Sequence, residues 1–257
     1  MAQEVWQAGD AYEAYVGRWS RQVAARFVPW LGVRAGRRWL DVGCGTGALT
    51  SAVRAAGGAV VGLDPSRGFV AGLPDVVVGD ARALPFAAGR FDIVVSGLAL
   101  NFVPAPDRAL AEMARVVTPG GTVAAYVWDY ADGMAMMRHF WQAAREVNPE
   151  APDEGERFPL CHPEALAELW RATGMTDVEV TGIEIPTVFA DFDAYWRPFL
   201  GGQGAAPAYL LSRPPEEREE LRVRLSARLP ARDLRLTARA LAVRATAPPG
   251  GPADPRP

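Results

Sequence analysis

Two kinds of hydrophobic pattern alternate along the first half of the chain. Short, nearly unbroken apolar runs occur at Arg38–Val42, Ala59–Leu63, Asp75–Val78, Phe91–Ser96 and Thr122–Trp128. Such runs suit strands buried on both faces. Between them lie stretches whose apolar residues recur every three or four positions, the spacing of one helix face. One opens after Gly47 and runs to about Ala56; another covers Asp107–Val117, with Leu110, Met113, Ala114 and Val117 on one side. Gly57-Gly58 ends the first, and Thr118-Pro119-Gly120-Gly121 stops the second, as glycine and proline do at helix ends. Five strands alternating with helices over residues 38–130 predict an α/β fold with a doubly wound, mostly parallel sheet. In such a sheet ligands bind at the carboxyl ends of the strands.

The flanks are looser. Tyr12, Tyr15, Trp19, Val23 and Phe27 place an apolar face on a helix over residues 10–31, with a break or bend near Gly17, because glycine weakens a helix interior. Two readings fit: a helix that covers the sheet, or a lid whose Tyr15, Arg18 and Trp19 face a bound ligand. After Tyr130 the pattern predicts a helix over Met134–Val147, a Pro- and acid-rich loop to Pro159, a helix over Pro163–Thr173 and a strand over Val178–Ile185. Residues 191–229 look helical in two pieces, around Tyr195–Leu200 and Glu216–Leu229, joined through Gly201–Gly204; Leu234–Ala245 is the last strand. The whole reads as a single domain over 1–245, with a ligand-binding core at about 33–130 and cap segments at about 1–32, 131–162 and 186–230. The Pro/Gly-rich residues 246–257 are expected to be a disordered tail.

The stretch Trp39-Leu40-Asp41-Val42-Gly43-Cys44-Gly45-Thr46-Gly47 carries the clearest chemistry. A strand runs into three glycines and then into a helix, which opens a nucleotide-binding unit. Glycine lets the backbone turn sharply and lets a ligand touch the main chain. The new helix offers unpaired N–H groups and a partly positive end. The spacing is G-x-G-x-G rather than the dinucleotide G-x-G-x-x-G, with Ala48 where a third dinucleotide glycine would stand. Asp64 ends the second strand, where a carboxylate can accept hydrogen bonds from ribose hydroxyls; a turn at Pro65 would use the same position as a helix cap. Asp80 follows the third strand, either as an acceptor for an adenine amino group or as a turn residue. Ser96-Gly97-Leu98 leave the fourth strand on the same rim.

Composition narrows the classes. The hydrophobic fraction of 49% is ample for a core, and the net charge of −3 with an acidic pI argues against a nucleic-acid partner. All positive side chains are arginine, which excludes a lysine Schiff base. Cys44 and Cys161 are the two cysteines and His139 and His162 the two histidines, a set that predicts neither a disulfide framework nor a metal site. With no basic-apolar leader at Met1–Asp10 and no run long enough to span a membrane, the expected address is the cytoplasm.

Taken in order, Leu40–Gly47, Gly62-Leu63-Asp64-Pro65-Ser66, Gly79-Asp80-Ala81 with Leu84-Pro85-Phe86, Phe91–Val94 and Arg115–Gly121 resemble the class I S-adenosylmethionine-dependent methyltransferases. Within these, they are similar to the ubiquinone/menaquinone biosynthesis group. The resemblance covers residues 38–128, about a third of the chain. It implies a Rossmann-like seven-stranded sheet with its last strand antiparallel, which suits Leu234–Ala245. It implies that Gly43, Cys44, Gly45 and Gly47 cradle the amino-acid part of S-adenosylmethionine, with Asp41 ordering the loop. Asp64, with Pro65 and Ser66, would meet the ribose, Asp80 and Ala81 the adenine, and Ser96, Gly97 and Leu98 the methionine side.

A sulfonium is an activated methyl donor, so transfer is an in-line displacement governed by position and water exclusion. A base is required only for a protonated acceptor. Candidates are Asp129 and Tyr130 after the fifth strand and His139 on the next helix; His162 fits a helix start. Where many relatives carry aromatic or His residues, this chain has Asn101-Phe102, which supplies no base. Phe140, Trp141, Phe158, Tyr195, Trp196 and Phe199 in the cap suit an apolar or aromatic small-molecule acceptor, or else are simply core. The expected enzyme is a methyltransferase, a monomer or homodimer. The competing readings are an NAD(P)-binding oxidoreductase and a non-catalytic S-adenosylmethionine-binding partner subunit.

Overall fold

The computed structural model describes residues 17–32, 35–201 and 204–249. Residues 1–16, with Tyr15 of the proposed lid, and residues 250–257 lie outside them. The leading helix α1 (Arg18–Trp30) packs before strand β1 (Arg38–Val42), followed by α2 (Ala48–Ala55), β2 (Ala59–Asp64), the short α3 (Arg67–Val70), β3 (Val76–Val78) and β4 (Phe91–Gly97). Then come α4 (Pro106–Val116), β5 (Val117–Trp128), α5 (Ala135–Val147), the one-turn α6 (Glu154–Arg157), α7 (Pro163–Ala172) and β6 (Thr176–Asp191). The chain closes with α8 (Phe192–Trp196), α9 (Ala205–Ser212), α10 (Pro215–Ala227) and β7 (Arg232–Thr246).

The seven strands form one sheet in the order β3-β2-β1-β4-β5-β7-β6. Strands β1 to β5 are parallel; β7 runs against both β5 and β6, so it alone is reversed. The strand order turns back between β1 and β4, and the crevice over their carboxyl ends is the switch point where such sheets take ligands. One core, containing Val23, Phe27, Trp39, Tyr126 and the aromatic residues of the cap helices, fills the face under α1, α2 and α5. The other, containing Leu40, Val94, Leu110, Met113 and Trp170, fills the face under α4 and α7.

Several expected boundaries move. The link between β3 and β4 crosses in turns rather than in a helix. Strand β6 continues to Asp191, pairing Pro186 with Thr237 and Asp191 with Arg232, so residues 186–191 belong to the sheet and the cap begins at Phe192. Proline is tolerated there because β6 is an edge strand, with one side that needs no ladder donor. The tail also starts later than expected: Thr246 pairs with Thr122 in the sheet, and buried Ala247 hydrogen-bonds the turn at Gly120 and Gly121. Helix α9 is a third piece within the stretch expected to be helical in two, and the one-turn α6 falls where the sequence pattern predicts a loop.

Within the described residues, α1 is a packing helix. Val23, Ala24 and Phe27 are fully buried, and the Phe27 ring lies 4.7 Å from that of Tyr126 on β5.

Candidate active site

Strand β1 delivers the chain into the crevice at Val42, and Gly43, Gly45 and Gly47 then all take positive φ, at 74°, 52° and 85°. A Cβ on Gly43 would run into the Ala99 side chain of the β4 exit, so the loop and that exit fit together only with glycine there. On Gly45 a Cβ would meet nothing within 4 Å, so this part of the loop faces open space. The loop is tied to β2: Gly43 N and Cys44 N both donate to Leu63 O, at 2.7 and 3.0 Å.

Two buried carboxylates anchor it further. Asp64 accepts from Gly45 N at 2.9 Å on one oxygen and from Ser66 N at 2.8 Å on the other. The Ser66 hydroxyl caps α3 by accepting from Phe69 N, and Pro65 sits in the turn between. Asp64 thus shapes the turn, and its oxygens keep lone pairs for further donors, while Ser66 rather than Asp64 is the helix cap. Burial raises its pKa despite the two backbone N–H bonds. Asp41, fully buried on β1, accepts from Thr50 Oγ1 at 2.7 Å with Oδ2. Its other oxygen has no partner among the described residues. Burial, with some repulsion from Asp64 and against the Thr50 bonds, lifts the Asp41 carboxyl to about 7. Cys44 is buried beside them, its thiol pushed far up by burial.

The β4 exit completes the rim. Ser96 is buried and its hydroxyl has no partner among the described residues. Gly97 lies so close to Tyr126 that a Cβ would come within 2.6 Å of the Tyr126 hydroxyl. Leu98 takes a positive φ of 58° while its N–H donates to Tyr126 O at 2.8 Å, a strained turn held by that bond. Asp80 is half exposed and paired with Arg82 at 2.6 Å, a pairing that lowers its pKa, while Ala81 is buried in the second core.

The remaining expected residues separate from this cluster. The Arg18 guanidinium lies 4.4 Å from the Trp19 ring centre and 5.1 Å from that of Phe189 on β6, and partial burial lowers its pKa. Trp19 packs edge-on against the same Phe189. Their ring contacts thus lie at the edge strand, whereas the glycine loop follows β1. Asp129 is committed to structure: one oxygen pairs with Arg239 at 2.6 Å and the other accepts from Asp132 N. Buried Tyr130 sits against the Phe158 ring. His139 is half-buried near Arg228 at the end of α10, and burial with that charge lowers its pKa. His162 is exposed at the start of α7. Of the six cap aromatics, Phe140, Trp141, Tyr195, Trp196 and Phe199 pack together in the first core. Phe158 belongs to the same core and also meets Phe102 and Tyr130.

Sequence reasoning missed Thr50, Ala99 and Tyr126. Thr50 carried a usable signal, a hydroxyl in the first turn of the helix that follows the loop; the other two are ordinary apolar or strand residues. Among the described residues no group of three or more His, Cys, Asp or Glu could hold a metal, and no helix is long and apolar enough to cross a membrane.

With this geometry in place, residues 40–125 match the family model of a methyltransferase domain. Over 110 residues the chain is 44% identical to a demethylmenaquinone methyltransferase of Renibacterium salmoninarum, covering 40% of this chain and 45% of that protein. Over 177 residues it is 32% identical to the 2-methyl-6-phytyl-1,4-hydroquinone methyltransferase of Synechocystis, covering 64% and 55% respectively. The chain spans about half the length of these curated relatives. In fold it is similar to phosphoethanolamine N-methyltransferase 2 of Haemonchus contortus, solved with phosphomonomethylethanolamine and S-adenosylhomocysteine. That similarity has a TM-score of 0.55 at 20% identity, covering 93% of this chain and 57% of the other. Residues 40–125 thus match a methyltransferase domain, and the whole sheet is similar in fold to that solved structure.

Proposed function

We propose that the protein is an S-adenosylmethionine-dependent methyltransferase acting on an apolar or aromatic small molecule, in the cytoplasm, as a monomer or homodimer. One observation carries the reading. The loop Gly43–Gly47 is locked to Leu63 and Asp64 with its three glycines at positive φ, with the open face of Gly45 above and, within, an oxygen of Asp41 that has no partner among the described residues. This cradle fits the cofactor. Asp64 keeps lone pairs for two ribose hydroxyls, and two buried carboxylates favour a ligand that carries positive charge. Gly43, Cys44, Gly45 and Gly47 would hold its amino-acid part, Pro65 and Ser66 the ribose edge, Asp80 and Ala81 the adenine, and Ser96, Gly97 and Leu98 the methionine side. Arg18 and Trp19 contact Phe189 on the edge strand β6, so they are given no part in holding the cofactor.

When bound, the sulfonium supplies an activated methyl group for in-line displacement. The chain's own contribution is to fix the reacting atoms and keep water out. Asp129 is taken by Arg239 and His139 lies against Arg228, so neither is assigned a proton-transfer role. The relatives' printed names, a demethylmenaquinone and a hydroquinone methyltransferase, support an acceptor with a ring.

The test is methyl transfer from labelled S-adenosylmethionine across a panel of quinols, phenols and amines. Transfer to any ring acceptor, abolished in Asp64→Ala, is the expected result. Cofactor binding with no transfer to any member would favour a partner subunit, and preferential binding of NADH would favour an oxidoreductase.

A further inference from the structure

Above β5, the exit of β4 meets the segment that leads into α7. The turn Leu100–Phe102 presents Asn101, whose Nδ2 lies 3.5 Å from Cys161 Sγ. The Cys161 thiol in turn donates to Trp128 O, 3.1 Å away. Burial pushes that thiol up to about 12, so it stays protonated and keeps donating. This relay uses the N–H₂ end of the Asn101 amide. It leaves the carbonyl Oδ1 buried without a donor among the described residues, a state that native interiors avoid unless a further partner arrives. The chain neighbour of Asn101, Phe102, begins a run of three rings in contact. Phe102 and Phe158 meet edge to face at 5.3 Å, and Tyr130 tilts over Phe158 at the same distance. Trp128 belongs to the same cluster as Tyr130 and Phe158, and its Nε1 is likewise buried and unpartnered.

We infer that Asn101 positions the acceptor: its Oδ1 accepts a hydrogen bond from a ring hydroxyl of a planar aromatic molecule packed against Phe102, Tyr130 and Phe158. The inference rests on the methyltransferase reading and names the substrate class of its acceptor side. An amide oxygen accepts a hydrogen bond but does not take up a proton near neutral pH, so Asn101 orients the hydroxyl and selects for it. A site built around one hydroxyl discriminates sharply against an analogue that cannot donate.

The probes are 1-naphthol and 1-methoxynaphthalene, which share a ring system and differ in the donor. Their binding is measured by equilibrium dialysis, with and without S-adenosylhomocysteine, on wild type and Asn101→Leu. Wild type is expected to hold 1-naphthol at least about tenfold more tightly than the ether. In Asn101→Leu the preference should fall to within about twofold while affinity for S-adenosylhomocysteine is unchanged, a split that loss of structure would not produce. Equal binding of the two probes to wild type, binding of neither, or a preference that survives in folded Asn101→Leu overturns the inference. Should the variant fail to fold, the wild-type comparison alone still decides against it when the probes bind equally. Selective naphthol binding without S-adenosylhomocysteine binding would sink the cofactor reading and leave the Asn101 site standing; the reverse result sinks only the Asn101 site.

Discussion

The rim over β1, β2 and β4 and the cap over β5 to β7 sit on one sheet but are held by different forces. The rim is built of glycine, backbone N–H groups and two buried carboxylates, with Asp64 bridging Gly45 and Ser66. Its shape is set by hydrogen bonds and by φ angles that only glycine adopts easily. The cap is built of rings. Phe140 stacks on Phe199 at 4.7 Å and meets Trp141 edge-on at 5.1 Å. The polar tips of the cap rings are satisfied as well: Trp141 Nε1 donates to Glu154 and the Tyr195 hydroxyl to Met136 O. A region held by packing should respond to lost volume, and one held by polar bonds should respond to lost charge or ligand.

The largest expected effect breaks the cap. Phe140→Ala removes a fully buried ring and should cost about 3–5 kcal/mol of stability in denaturant melts. Affinity of the folded fraction for S-adenosylhomocysteine should stay within about twofold. A large loss of affinity in folded protein would mean that the two regions are one unit.

Next comes Asp41, where the rim works against stability. Its folded carboxyl titrates near 7, above the ordinary carboxylate value, so the folded state keeps a proton that the unfolded chain gives up. The resulting stabilisation is full below about pH 4 and lost as pH rises through about 7. Asp41→Asn should therefore be more stable than wild type at pH 8, by roughly 2–4 kcal/mol, with the advantage shrinking towards pH 4. Chemical denaturation at the two pH values checks the sign, and an advantage independent of pH would contradict it.

The smallest effect belongs to Asp80. It is exposed and paired with Arg82, so Asp80→Ala should leave the unfolding midpoint within about 3 °C of wild type. It should weaken S-adenosylhomocysteine binding by about twofold to tenfold. A loss as deep as that of Asp64→Ala would place the adenine contact above the ribose contact.

The two regions also differ in how far the sequence disclosed them. Buried parallel strands leave unbroken apolar runs ended by Gly or Asp, so β1, β2 and β4 are legible to within a residue. The glycine spacing and the acids at 41 and 64 likewise announce the rim. The cap is harder because its signals are long-range or ambiguous. Pro186 looks like the end of a strand, yet on an edge it continues one. Helix α9 is largely apolar and begins beside Gly204, so it lacks the contrast between faces that marks a surface helix. The Asn101–Cys161 contact joins residues sixty positions apart, and local spacing cannot reveal it. Buried aromatics look the same in sequence whether they line a site or fill a core; here all six belong to one core, and Phe158 also meets Phe102 and Tyr130.

Calorimetric titration of wild type and Asp64→Ala with S-adenosylhomocysteine, beside NADH, tests the central claim most directly. Losing hydrogen bonds to a charged group should cost the variant about tenfold to hundredfold in affinity. The account predicts micromolar binding of S-adenosylhomocysteine to wild type, that loss in Asp64→Ala, and no binding of NADH to either. Equal affinity in both proteins, or binding of NADH in preference, would contradict it.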